Sequence, residues 1–410
     1  MSGFAINPVP AGLIFSGAWA VATSTTHNWQ VMVDEAVAFR RALHASPELT
    51  WSEDETAASI RDRLDDLGIA WQACAGTGTV ATLAPEASGR HVALRGDIDA
   101  LPIVEESGVE WCSTREGCMH ACGHDGHAAT LYAAAQWLKA HESGLPGPVT
   151  LLFQPAEEGG HGARAMIDDG ALEGVDTIFG WHNWPAIPFG RAVCPDGAVM
   201  AGNGTFEISV HGRGGHASQP ELCRDPVLAA SNIVMDLQQV VSRRISPQAP
   251  TVLSVTSIRA DGAPTVIPES ATLGGSFRLG DPDTRALMGE LIETIARNTG
   301  SAYGVEVDVR IHPRYDATVN HPAEAGQYRQ AICGELGDDA LEVALKTPIM
   351  ASEDFSYYLK AIPGAFALIG ADDGQGHDHP CHSPKYDFND RLIDTVGRIY
   401  SRIAGIPVEE

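Results

Sequence analysis

The sequence predicts an α/β protein in which a mainly parallel, mixed sheet is flanked by helices and interrupted by an inserted α+β block. Up to about residue 198, short apolar runs alternate with helical segments, which is typical of a parallel sheet with helices on both faces. From about 199 to 312, alternating strands are interleaved with helices, which indicates an antiparallel sheet. A chain of 410 residues also exceeds one ordinary core, so we expect two domains.

The elements of the first part follow in order along the chain. Trp29 to Ala45 carries apolar residues at near-helical spacing and precedes Ser46-Pro47, a pair that ends a helix. Four apolar runs then predict strands, and the segments between them predict helices. The strands are expected at 80–83, 91–94, 149–153 and 177–180, and the helices at 128–139 and 163–169.

The inserted block and the return to the first sheet complete the predicted order. Strands are expected at 205–210, 251–258 and 271–279, with helices at 226–243 and 283–298. After about residue 313 we expect a helix at 323–336, a strand at 366–369 and a final helix at 389–403. The predicted domains are therefore 1–198 with 313–410, and 199–312. Residues 1–26 are expected to be an extension rather than a secretion signal, because no Lys or Arg precedes Arg40.

Charge and cysteine content restrict the class of protein. The chain has 27 basic and 53 acidic residues, and its net charge of -26 disfavours nucleic acid and anionic membranes as partners. No apolar run reaches the length of a membrane span. Eight cysteines without a dense, regular spacing indicate reduced thiols, so we expect a cytoplasmic protein.

Acidic residues and one histidine follow the predicted strands. Asp97 and Asp99 follow the second strand, Glu157 and Glu158 the third, and His182 the fourth. In sheets of this kind, reactive groups gather at the carboxyl ends of the strands. These side chains are therefore expected to lie together, although adjacent carboxylates such as Glu157-Glu158 also occur in solvated loops.

The stretch from Met119 to His127 holds three histidines, one cysteine and one aspartate in nine residues. Burial of so many polar groups is costly unless each has a partner. Cys122 and His124 supply the sulfur and nitrogen donors that zinc prefers. The stretch indicates a metal site, and the alternative is a solvated, histidine-rich turn with a buried thiol.

Seven short motifs stand out along the chain. They are RGDIDALP at 95–102, MHACGHDGH at 119–127, QPAEEG at 154–159, WHN at 181–183, GGHAS at 214–218, SEDF at 352–355 and HSP at 382–384. These motifs occur in the order found in the M20 metallopeptidase family, and the chain resembles its branch of N-acyl-amino-acid amidohydrolases. That branch includes hippurate hydrolases, aminoacylases and plant auxin-conjugate hydrolases. The resemblance covers nearly everything from about Met32 onward.

The resemblance implies a zinc-exopeptidase-like catalytic domain that binds two divalent metal ions, zinc or manganese, with cobalt or nickel as further options. It implies that Glu157 is the general base, which takes a proton from water and delivers it to the leaving amine. Thiolate, imidazole and carboxylate can each be deprotonated near neutral pH, so the implied ligand set is chemically reasonable. The implied metal ligands are Cys122, His124, Glu158, His182 and His382.

Asp99 resembles the carboxylate of the family that orients a ligand histidine, and the alternative is a turn aspartate ahead of Pro102. Asp97 is a weaker candidate for contact with the metals or their ligands. His120 and His127 flank the ligands without matching a ligand position, so we expect them to pack or to contact a ligand residue.

The inserted block resembles the family's lid and dimerisation domain. The resemblance assigns His216 to the scissile carbonyl oxygen, commonly in the site of a neighbouring subunit, and Arg278 to the substrate carboxylate. The alternative for both is a surface residue. Thr265 stands where the family usually has Asn, and a hydroxyl offers fewer hydrogen bonds than an amide. The implied assembly is a homodimer, or a dimer of dimers.

The leading hypothesis is a metal-dependent amidohydrolase that cleaves small N-acyl-amino acids into a carboxylic acid and an amino acid. A dipeptidase or carboxypeptidase of the same class is an alternative that no residue excludes. A catalytically silent metal-binding receptor or scaffold is a third hypothesis. The presence of both Glu157 and Glu158 argues against it, because a silent site needs no free base beside a ligand.

Overall fold

The computed structural model describes residues 28–342 and 344–409, so the expected extension at 1–26 lies outside the described residues. Within the described residues, the helices are α1 Trp29–Ala45, α2 Asp54–Asp66, α3 His124–Ala140, α4 Gly162–Asp168, α5 Pro226–Gln239, α6 Thr284–Tyr303, α7 Pro322–Leu336, α8 Ser356–Ala361 and α9 Arg391–Ile403. The strands are β1 Trp71–Cys74, β2 Gly78–Leu83, β3 Val92–Asp97, β4 Val149–Gln154, β5 Thr177–Pro188, β6 Ala192–Val193, β7 Gly197–Met200, β8 Gly202–His211, β9 Gly215–His216, β10 Thr251–Arg259, β11 Val266–Ile267, β12 Ser270–Leu279, β13 Glu306–Pro313, β14 Thr318–Asn320 and β15 Gly364–Asp372.

The larger sheet has seven strands in the order β1-β2-β4-β3-β5-β15-β6. The four central strands, β4, β3, β5 and β15, run parallel, and the strands at both edges pair antiparallel. This arrangement confirms the predicted mainly parallel mixed sheet. The strand β15 comes from the last part of the chain and pairs with β5, so the chain returns to the first sheet after the inserted block.

Helices cover both faces of this sheet, as the sequence predicts. Neighbouring residues of a strand point to opposite faces. Leu151 of β4 belongs to the hydrophobic cluster that contains α1, α3 and α9, whereas Leu152 belongs to the cluster that contains α4 and α8. All six residues of β4 are buried, which explains the continuous apolar run in its sequence.

The second sheet has four antiparallel strands in the order β10-β12-β8-β13. It packs with α5 and α6 around a separate hydrophobic cluster, which includes Phe206, Ile233 and Ile292. All three strands expected in the inserted block are present. The division of the chain into domains at 199 and 312, and the role of the inserted block in a dimer, stay predictions.

Nine elements in the described part of the chain were not expected, and one expected strand extends well beyond its predicted end. The unexpected elements are α2, α8, β1, β6, β7, β9, β11, β13 and β14. Among them, α2 buries only four of its residues, which gives a weak apolar pattern. The expected strand ending at Gly180 instead continues to Pro188, because β15 pairs with β5 up to Trp184 and again, after a bulge, at Pro188. His182 therefore lies within a strand rather than after it, and Asp97 is the last residue of β3 rather than a residue after it, which corrects both expectations. No helix in the described part of the chain is both long and apolar enough to cross a bilayer.

Candidate metal centre and catalytic cavity

The five predicted metal ligands lie close together at the carboxyl edge of the parallel strands. Nε2 of His182 lies 3.3 Å from Sγ of Cys122, and Nε2 of His382 lies 3.1 Å from Oε1 of Glu158. His182 reaches this edge because β5 extends past its last pair with β3. Donor atoms within 4.8 Å of one another form two triads that share the Cys122 thiol: Cys122, His124 and His182, and Cys122, Glu158 and His382.

A left-handed glycine places Cys122 and His124 on either side of the start of α3. Gly123 has a φ of 93°, a conformation that side chains disfavour. A Cβ atom there would also lie 2.3 Å from Oδ1 of Asn183 and 2.6 Å from the hydroxyl of Tyr386. The sharp turn between thiol and imidazole therefore requires glycine.

Hydrogen bonds orient two of the ligand imidazoles. Nδ1 of His124 lies 3.1 Å from Oδ1 of Asp99, and Nδ1 of His182 lies 2.7 Å from the carbonyl oxygen of Asn183. In the tautomers that donate these bonds, each Nε2 presents a lone pair to the triad with Cys122. Nε2 of His124 is buried and has no hydrogen-bond partner among the described residues, which suits a metal ligand.

Asp99 contacts the ligand His124, as expected, and also holds the loop after β4. Its carboxylate accepts the backbone N–H groups of Glu157 at 3.1 Å and Glu158 at 3.0 Å, and the hydroxyl of Thr50 at 2.7 Å. Burial raises the pKa of Asp99, but the hydrogen bond and charge of His124 outweigh it and lower the pKa below its usual value. One ionised carboxylate thus fixes both an imidazole and the Glu157-Glu158 pair.

Glu157 is buried in an excess of negative charge. Its carboxylate lies within 4.8 Å of those of Glu353 and Asp354, and it adjoins Glu158. Burial, followed by the charges of Glu353 and Glu158, raises the pKa of Glu157 well above its usual value. Burial lowers the pKa of His124, but the Asp97 and Asp99 carboxylates outweigh it and raise it to about 10. Such a surplus of anionic groups favours bound cations.

Several further polar residues of this region contact a ligand residue or one another. Asp97 binds Nη1 of Arg95 at 2.6 Å and Nδ1 of His127 at 2.5 Å, and lies 3.5 Å from Nε2 of His124. Nε2 of His127 lies 2.8 Å from Oδ1 of Asn183. His120 is buried without a hydrogen-bond partner among the described residues, and burial lowers its pKa to about 4.

A cavity of about 410 Å³ opens beside this cluster. Arg278 of β12 reaches it, where Nη1 donates to Oγ of Ser352 at 3.2 Å. The sequence analysis assigned no role to several further lining residues, because each lies in a loop or directly after a strand. For Glu353 the motif SEDF at 352–355 was an available signal. These further residues include Arg314, Tyr315, Glu353 and Cys381.

His216 and Thr265 lie outside this cavity in their own chain. His216 pairs with Val266 in the two-stranded sheet of β9 and β11, and the carbonyl of Thr265 accepts the N–H of Ala217 at 3.0 Å. Both residues are exposed. Nδ1 of His216 accepts a hydrogen bond from Oγ of Ser218 at 2.7 Å, in the tautomer that leaves the proton on the outward Nε2.

Comparisons with known proteins define the class to which this fold and site belong. Peptidase family M20/M25/M40 matches residues 93–405. A plant relative, IAA-amino acid hydrolase ILR1-like 2 of Arabidopsis thaliana, is 39% identical over 90% of this chain and 84% of its own length. The hippurate hydrolase of Campylobacter jejuni is 36% identical over 89% of this chain and 94% of its own.

A solved structure of an M20 family protein is also similar to this chain. The YxeP protein of Bacillus subtilis, described as a dinuclear metal binding peptidase from the M20 family, superimposes with a TM-score of 0.80 at 30% identity. It covers 92% of this chain and 98% of its own. The chain belongs to peptidase family M20/M25/M40, which confirms the resemblance drawn from the seven motifs.

Proposed function

We propose that the chain is a metal-dependent amidohydrolase that cleaves N-acyl-amino acids into a carboxylic acid and a free amino acid. The observation that carries this proposal is the placement of Glu157. Its buried carboxylate lies beside the five clustered metal-ligand candidates and lines the same cavity as Arg278. A base beside a metal site, with a guanidinium in the same cavity, suits hydrolysis of an amide that bears a carboxylate.

The donor set fits two divalent ions. The two triads share the Cys122 thiol, and each adds donors that bind divalent metals when deprotonated. Thiolate and imidazole suit zinc, and the carboxylates also suit manganese, with cobalt or nickel as further options. Cys122 and His382 belong to the same triad although they lie far apart in sequence, so only the folded chain assembles it.

Hydrolysis then proceeds by addition of water across the amide bond. When bound, the divalent ions polarise the scissile carbonyl and make water a better nucleophile. Glu157 takes one proton from the water as its oxygen bonds to the carbonyl carbon. Glu157 returns that proton to the amide nitrogen as the C–N bond breaks, so that the free amine leaves and the acyl group becomes a carboxylic acid.

Arg278 is placed to bind the substrate carboxylate. Its guanidinium is half-buried in the cavity, and it pairs with no carboxylate in the described part of the chain. A planar guanidinium binds a carboxylate through two parallel hydrogen bonds. Thr265 is proposed as a further contact that a neighbouring subunit would supply, since it lies outside the cavity of its own chain.

The test of this function is a substrate panel. We expect the metal-loaded protein to hydrolyse N-acetyl, N-benzoyl or indole-acetyl amino acids faster than dipeptides, with zinc, manganese and cobalt compared. Release of free amino acid would be measured for each pair of substrate and metal. Faster cleavage of dipeptides with a free amino group would favour the dipeptidase alternative, and absence of all amide hydrolysis would refute the proposal.

We further propose that the inserted block forms a homodimer interface, through which His216 serves the cavity of the partner. His216 is exposed and does not line the cavity of its own chain. β10 is an edge strand of its sheet, with unpaired backbone groups and the exposed side chains Val252 and Ile258. On α5, Leu228 and Met235 are also exposed, which is typical of an interface between copies.

Subunit mixing tests this arrangement. His216→Ala and Glu157→Gln should each be inactive alone, and activity should return when the two variants exchange subunits. In a mixed dimer, one cavity combines an intact Glu157 with an intact His216 from the partner, so each mixed dimer should show about half the activity of the parent dimer. The measurement is turnover before and after exchange.

A matched control uses His211→Ala, because His211 is another exposed histidine of the inserted block. This variant should keep parental turnover. Demonstrated exchange of subunits without recovery of activity would mean that His216 does not act across an interface.

We propose that the protein is cytoplasmic. All eight cysteines lie among the described residues and are free thiols, which suits a reducing compartment.

A further inference from the structure

The cavity contains a second positively charged side chain, to which the family resemblance assigns no role. Arg314 follows β13 and lines the same cavity as Arg278. It forms no salt bridge with any described residue. The nearest acidic residue in sequence, Asp316, is already bound by Nε of Arg285 at 2.8 Å and by Nζ of Lys360 at 2.5 Å. The guanidinium of Arg314 is therefore available to a ligand.

The loop of the metal centre makes room for this guanidinium. Gly159 directly follows the ligand candidate Glu158 and has a φ of 97°. A Cβ atom on Gly159 would lie 2.3 Å from Nη2 of Arg314. Any side chain at this position would displace Arg314, so the glycine lets the guanidinium lie against the loop that carries the base and a ligand.

The two guanidiniums also affect each other. Burial lowers the pKa of Arg278, and the positive charge of Arg314 lowers it further. Two cations that repel each other without an acidic partner are stabilised by an anionic ligand that contacts both. The acidic side of the cavity, with Glu157, Glu158 and Glu353, would repel the same anion unless metals neutralise it.

We propose that the substrate is a dianion, with one carboxylate for Arg278 and a second for Arg314. This proposal rests on the amidohydrolase function proposed above and specifies its substrate class. The second carboxylate can belong to the amino acid, as in an N-acyl-glutamate, or to the acyl group, as in an N-succinyl amino acid. Each of these two kinds of substrate carries a second carboxylate for the guanidinium of Arg314. Kinetic measurements with each kind distinguish the two.

The test compares substrates that differ by one charge. N-acetyl-glutamate is paired with N-acetyl-glutamine, and N-succinyl-alanine with N-butanoyl-alanine, using the metal-loaded parent. We expect kcat/KM for the dianion to exceed that of its partner by about 10- to 100-fold in one pair, the usual effect of a hydrogen bond to a charged group. In Arg314→Gln this ratio should fall toward one.

Arg310→Gln is the matched control, because Arg310 is an exposed arginine of β13 that does not line the cavity. This variant should keep the parental ratio. No preference for a dianion in either pair, or a preference that persists in Arg314→Gln, would overturn the proposal.

Binding measurements test the second carboxylate site independently of the proposed hydrolysis. Calorimetry on metal-loaded Glu157→Gln measures affinity for N-acetyl-glutamate and N-acetyl-glutamine, or for the succinyl pair, without turnover. Tighter binding of the dianion that disappears in the double variant with Arg314→Gln would support the second carboxylate site even if the parent hydrolysed none of the four amides. Equal binding of both members of each pair would overturn it.

Discussion

Replacement of Glu157 by glutamine should leave the metal content of the protein unchanged and lower kcat by about 10²- to 10⁴-fold, the usual contribution of a general base. The amide has nearly the size of the carboxylate, and the backbone N–H of Glu157 would still donate to Asp99. The five proposed ligands remain in place. Only the group that takes and returns the proton is lost.

Metal analysis and steady-state kinetics on the same sample check this result. Glu173→Gln is a matched control, since Glu173 is exposed and outside the cavity, and it should behave as the parent. If metal-loaded Glu157→Gln turned over near the parental rate, another group would have to be the base.

Replacement of Cys122 by alanine should weaken binding of at least one metal ion by on the order of 100-fold or more, because it removes a ligand rather than a neighbour of a ligand. The thiol belongs to both triads, so its loss affects both positions. Activity should fall with metal content. The metal-to-protein ratio after dialysis measures the effect.

The neighbouring thiol provides the control. Cys381 lines the same cavity, and its Sγ lies 4.0 Å from the carbonyl oxygen of Cys122, but it belongs to neither triad. Cys381→Ala should therefore keep its metal through the same dialysis. Retention of two ions per chain by Cys122→Ala would exclude Cys122 as a ligand.

Much of the fold could be predicted because buried parallel strands have continuous apolar sequences. The run from Val149 to Phe153 identified β4, and the carboxylates at the end of β3 and after β3 and β4 could be located by the strand-end rule. The strand β13 also had a signal, since Val307, Val309 and Ile311 alternate with polar residues. In the structure this strand pairs with β8.

Other parts of the site depend on tertiary placement. His382 lies in a loop with a φ of 69°, and only the resemblance to a family indicated it as a ligand. Arg314 directly follows β13 of the second sheet and Glu353 precedes α8, yet both line the same cavity. A local sequence pattern does not predict such long-range contacts. His216 is predicted to act only in an assembly, which the sequence of one chain does not display.

The position of β15 has a consequence for synthesis on the ribosome. This strand lies between β5 and β6, yet it is translated after the whole inserted block. At about 5–20 residues per second, β5 waits roughly ten seconds or longer with an open, apolar edge, the kind of nascent surface that chaperones cover. His382 emerges later still. The second triad cannot close before His382 has been translated, so metal capture there follows synthesis of the inserted block and of β15.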